Sequence, residues 1–159
     1  MALLRGMQTP ESAPTPTAPA GAPLDPPTAF AAVALAAVSW DGVLTVAGTR
    51  ALRHELDYRP PYKHRNDQQM IALMDRLLAE LRRQGVEGLM REAAVVLDER
   101  QRHTAYAVAA EIMRSDGPLA EREQAILRQL AESLHLTPEQ TEPVLQVMDV
   151  LHADVLGES

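Results

Sequence analysis

From Thr28 onward the apolar positions recur at spacings of three and four, the period of amphipathic helices rather than the alternation of strands. Phe30, Val33, Ala34 and Ala37 mark one face of a first helix, with Thr28 as its expected N-cap after Pro27. Met70, Met74, Leu77, Leu78 and Leu81 form a strong stripe, followed by Arg82 and Arg83 and stopped at Gly85. Leu89, Ala93, Val96 and Leu97 carry a shorter helix. Tyr106, Ala109, Ala110 and Met113 carry the next, and Leu127, Leu130, Ala131 and Leu134 the one after. Val144, Val147, Met148, Leu151 and Val155 line the last. Thr137-Pro138-Glu139-Gln140 has the form of a capping box with proline at the first helical position, and Pro143 predicts a helix start or kink one turn later. The expectation is an all-α fold, a compact bundle of about seven helices.

Ahead of this pattern, residues 1–27 hold seven of the twelve prolines, interleaved with alanine, threonine and serine. Proline fixes φ, removes a backbone donor and biases the residue before it away from the helix, so the stretch reads as a disordered tail. The expected organisation is a tail over 1–27, one helical domain over 28–156 and a short C-terminal tail over 157–159.

The helices are not all independent. Shifted by 75 positions, residues 31–53 superpose on residues 106–128, and eight of the 23 pairs are identical: Ala32/Ala107, Val33/Val108, Ala34/Ala109, Asp41/Asp116, Gly42/Gly117, Leu44/Leu119, Leu52/Leu127 and Arg53/Arg128. Alanine-rich composition inflates such a match, but the Asp-Gly pair and the leucine two residues after its glycine are harder to obtain by chance. The repeat predicts a duplicated helical hairpin, with two halves packed about a pseudo-twofold axis and the Met70–Val96 region linking them.

Composition narrows the function. At 159 residues the chain suits one domain with a real core. Its formal charge of −7 gives no electrostatic footprint for duplex DNA or an anionic membrane. The absence of cysteine excludes disulfides, thiolate metal sites and a cysteine nucleophile. Five aromatic residues are too few for a base-stacking platform. The most apolar stretch, Ala29–Val38, is about half the roughly 20 residues that a spanning helix needs, and no signal peptide is legible, so the expected location is the cytoplasm.

The candidate chemistry lies at the two Asp-Gly turns. Structurally, glycine supplies the left-handed position that ends a helix, and aspartate tolerates the turn beside it. Functionally, Asp116-Gly117-Pro118-Leu119-Ala120-Glu121-Arg122-Glu123 sets Glu123 at the distance from Gly117 that separates the central glycine and bidentate glutamate of an EF-hand loop. Ile112 and Arg114 occupy the first ligand positions, so a complete EF-hand is excluded. The candidate cation contacts are Asp116, Glu123, Asp41 and Glu121, for Ca²⁺ or Mg²⁺ held weakly with water. In the first copy Val46 and Gly48 stand where the second has Glu121 and Glu123. Glu121 and Glu123 also favour folding without any ligand, since acids in a first turn complement the helix dipole.

The duplicated alanine-rich helix with its Asp-Gly turn, best seen from Arg102 through Asp116-Gly117 to Leu134, resembles the TerB-like domains of bacterial tellurite-resistance proteins. The likeness covers most of residues 29–156, including the middle region from Asp67 and Met70 to Gly85 and Leu89. It implies two related helical halves and a role in tellurite resistance and wider stress responses. It also implies acidic clusters near the turns, a metal ion at them, and other stress-response proteins as partners. Asp41, Asp116 and Glu123 match the family's turn acids.

Other constellations are weaker. His54, His64, His103, His135 and His152 show no ligand spacing, and Ser39 and Ser115 have no base in view. Tyr58, Tyr62, Lys63, His64 and Arg65 form a basic-aromatic loop suited to a phosphate or an acidic partner, or simply to solvent. The methionines sit at core spacing. Three function classes follow. The first is a non-enzymatic stress module presenting an acidic surface, without nucleic acid or membrane insertion. The second is a purely structural interaction or oligomerisation module with no metal role, using the last helix. The third, an enzyme, lacks an assembled site.

Overall fold

A computed structural model describes residues 21–155. Six α-helices succeed one another: α1 (Pro26–Val38), α2 (Val46–Leu56), α3 (Asp67–Val96), α4 (Glu99–Arg114), α5 (Glu121–Ser133) and α6 (Pro138–Leu151), with a 3₁₀ turn at Tyr62–His64. The all-α expectation holds. The difference of one in helix number comes from Gly85, whose φ of 75° breaks α3 into two helical segments without an intervening loop. The stop predicted at Gly85 is therefore a kink.

The first helix begins earlier than the sequence pattern suggests. Asp25, not Thr28, is its N-cap, with the Asp25 carboxylate accepting the Thr28 N–H at 2.8 Å. Pro26 and Pro27 then occupy the first helical positions, where a missing N–H costs nothing. The expected domain boundary at residue 28 thus falls inside α1, and residues 21–25 belong to the folded unit. Leu24 is buried, and Glu80 of α3, with none of its surface exposed, accepts the Gly21 N–H at 2.5 Å. Arg76 donates to the Ala22 carbonyl at 2.8 Å. Residues 1–20 of the expected tail, and the tail over 157–159, lie outside the described residues.

Two alanine-rich helices form the centre. Ala29, Ala31, Ala32, Val33, Ala34, Leu35 and Ala36 are buried around the whole circumference of α1, so the single face expected there becomes a fully enclosed helix. Small side chains let α4 approach α1 closely, and this is the most extensive packing in the molecule. Each central helix also packs against its own hairpin mate, α2 or α5, and against one further helix, α3 or α6. The arrangement is the pseudo-symmetric pair of hairpins that the repeat predicts. Met70, Met74, Met90 and Met113 are core residues.

The last helix departs from its predicted face. It begins at Pro138, with the Gln140 side chain accepting the Thr137 N–H at 2.9 Å, and it runs on through Pro143, where the sequence predicted a start or a kink. Val144, Leu145 and Met148 turn inward, while Val147, Val150 and Leu151 are 57%, 79% and 64% exposed. The sequence stripe mixed an inner face with an outer one.

Candidate functional site

The two Asp-Gly corners are built alike. Gly42 and Gly117 take φ values of 88° and 128°, the left-handed region where a side chain is strained. Each closes a turn: the Gly42 N–H donates to the Ser39 carbonyl at 2.8 Å, and that of Gly117 to the Arg114 carbonyl at 3.0 Å. Helices α2 and α5 then start at Val46 and Glu121, in the register of the sequence repeat.

At the third helical position the copies part. In the first, the Thr45 hydroxyl caps α2 by accepting the Gly48 N–H at 3.0 Å. A Cβ on Gly48 would lie 3.2 Å from both Thr45 Oγ1 and Val38 Cβ, so a glutamate here would press on both neighbours. In the second, the cap is Ala120, which has no oxygen to offer. Glu123 reaches back instead, and its Oε1 accepts the Ala120 N–H at 2.9 Å. The glutamate singled out as a metal ligand is therefore engaged as a helix cap.

The other candidate acids are dispersed. Asp41 is exposed and accepts the Val43 N–H at 3.1 Å, an Asx turn. Asp116 and Glu121 are exposed, and neither is among the residues lining a hollow of about 190 Å³ between the first corner and α5, where Asp41, Arg122 and Glu123 meet. The structure thus puts Asp41 and Glu123, from different halves, on the lining of one hollow, which Arg122 also lines. Among the described residues no three His, Asp or Glu side chains gather in a form that could hold a metal ion.

A larger concavity lies elsewhere. Helices α5 and α6 both rest on α4 and have little direct contact with each other, leaving a groove of about 800 Å³. Its floor includes Tyr106, Leu127, Leu136 and Leu145, and its rim carries Arg128, Glu132, Glu142 and Asp149. Thr141 of α6 hydrogen-bonds the buried Tyr106 phenol, whose pKa is pushed up by burial. Asp149 is paired with Arg114 of α4 at 3.2 Å.

In the first half the residues at the matching positions bridge the two helices with ion pairs. Arg53 of α2 binds Asp57 at 3.0 Å and Asp67, at the start of α3, at 2.9 Å. Beside it Tyr62 is buried, its hydroxyl donating to the Pro27 carbonyl, with the Arg65 guanidinium 5.6 Å from the ring centre. The basic-aromatic loop expected to face a ligand or solvent is in part core. At the repeat offset Arg53, Asp57 and Asp67 correspond to Arg128, Glu132 and Glu142. The second triad sits on the groove rim with none of its members in an ion pair within 4 Å among the described residues. Sequence reasoning noticed the Arg53/Arg128 identity and missed the acids around it, although they lie at the same offset.

The histidines are structural where they are engaged: His103 meets the Gln140 carbonyl at 2.8 Å and His152 meets Glu111 at 2.7 Å. Among the described residues no helix is long and apolar enough to cross a membrane.

Two like hairpins around a pair of central alanine-rich helices, joined by a kinked connector, define a duplicated all-helical domain. A family model described as "Tellurite resistance protein TerB" matches residues 27–146, and the chain belongs to that family. No curated protein and no solved structure matches it.

Proposed function

We propose that this chain is a non-enzymatic module of tellurite resistance or a general stress response, working in the cytoplasm by presenting an acidic surface to other stress-response proteins. The family match over residues 27–146 carries this reading. The net charge of −7 and the outward placement of Asp41, Asp116 and Glu121 support it. A divalent cation, Ca²⁺ or Mg²⁺, associates weakly with the same surface, where Asp41 and Glu123 line one hollow and water completes the ligand shell.

The test is growth on tellurite of cells deleted for this chain and complemented with variants. Glu123→Gln is the right substitution, because it keeps the cap acceptor while removing the charge. Loss of tolerance in Asp116→Asn/Glu123→Gln, at unchanged protein level, is the expected result. Full tolerance in that variant takes these acids out of the mechanism.

A second reading, an oligomerisation module with no metal role, is favoured by the exposed Val147, Val150 and Leu151 stripe on α6. Light scattering decides it: a mass that rises with concentration, and falls back in Val147→Lys, supports self-association.

A further inference from the structure

The groove between α5 and α6 is the unfilled counterpart of a seam that the first half seals for itself. There the guanidinium of Arg53 stands between two carboxylates, Asp57 at the end of α2 and Asp67 at the start of α3. Here Glu132 and Glu142 stand on opposite walls over an apolar floor, with no cation among the described residues joined to either by an ion pair. Arg128, the residue in register with Arg53, lies on the same rim without bridging them.

We propose that this groove receives an amphipathic helix from a partner protein, its apolar face on Leu127, Leu136 and Leu145 and a lysine or arginine between Glu132 and Glu142. That side chain takes the place that Arg53 takes in the first half. Charge complementarity selects the occupant: three acids and one arginine line the rim, one acid is already neutralised by Arg114, and the whole chain carries −7. The backbone selects its form. No sheet edge exists among the described residues to pair with an extended peptide, whereas a helix satisfies its own N–H and C=O groups and lays its apolar face in such a groove. Walls of 13 and 14 residues run for about 20 Å, the length of three or four turns. The inference rests on the partner-docking reading and assigns it a place and a ligand chemistry.

The probe is a fluorescein-labelled 16-residue peptide with leucines at positions i, i+3, i+4 and i+7 and lysines on the remaining faces, titrated into the full chain. Controls are a scrambled peptide of the same composition and a version with glutamate for lysine. The expected result is saturable binding of the first peptide, at least about tenfold tighter than either control. NMR shifts should be centred on Tyr106, Leu127, Glu132, Glu142 and Leu145. Glu132→Lys/Glu142→Lys, two exposed changes that leave the melting temperature in place, should weaken binding at least about tenfold. Equal binding of the scrambled peptide, unchanged affinity in the double variant, shifts confined to the Asp-Gly corners or to Val147 and Leu151, or no binding at all overturns the proposal. None of those results touches tellurite tolerance in cells, which tests the broader reading separately.

Discussion

The two hairpins meet the same problem, how to begin a helix after an Asp-Gly turn, and solve it from opposite ends. In the first, the oxygen comes from the cap residue, Thr45, and the third position must be small, so Gly48 is buried against Val38 and Leu44. In the second, the cap is Ala120 and the oxygen comes from the third position, Glu123. An acid present in one copy and missing from the other marks which end supplies the cap. The same logic extends to the seams: an arginine with two acids closes the first half, and the matching three residues line an open groove in the second.

The connector between the halves carries a clasp on α3 that has no counterpart in the repeat. Glu80, fully enclosed, accepts Gly21 N–H and two donors of Arg83, at 3.1 and 2.7 Å. Glu80→Ala removes the acceptor from these half-exposed donors and should cost about 2 kcal/mol in urea denaturation. Burial pushes the Glu80 carboxyl up, but the Gly21 N–H and Arg83 together outweigh it and hold the pKa below its ordinary 4.5. A depressed folded-state value gives stability that is complete above 4.5 and is lost as the pH falls through that lower value. The stability gap between the native chain and Glu80→Gln should therefore narrow as the solution is acidified below pH 4.5, read from urea midpoints across the range.

Installing the second solution in the first half breaks the comparison next. Gly48→Glu forces a side chain into the 3.2 Å contacts and should lower stability by about 2 kcal/mol. Glu123→Ala removes the reciprocal cap and should cost about 1 kcal/mol, while Glu123→Gln keeps an acceptor and loses only the dipole interaction, about 0.5 kcal/mol. Equal losses in the two Glu123 variants would show that charge, not capping, is what the position supplies.

Much of the fold was legible because its evidence is periodic: helix stripes, the Asp-Gly offset and the break at Gly85 are all local patterns. The start of α1 was misplaced because Asp25 lies within a proline-rich stretch, and prolines at the first two helical positions read the same as prolines in a tail. The outward half of α6 was invisible because Val147 and Leu151 share the three-four spacing of Val144 and Met148. Which face turns inward is decided by α4, far away in sequence. The acids of the candidate site were found one by one, but their partners were not. Glu123 bonds a backbone N–H, which no side-chain motif records. The Arg53 triad joins residues 14 apart across a mostly exposed connection that the buried Tyr62 anchors.

Arg53 and Arg128 are the same residue of one repeat in two settings, and they test the account most directly. Urea denaturation of Arg53→Ala and Arg128→Ala should give a loss of about 1 kcal/mol for the first, which holds two carboxylates, and less than about 0.5 kcal/mol for the second. Equal losses would mean that the second seam is closed in solution as the first is, and that there is no open groove to fill.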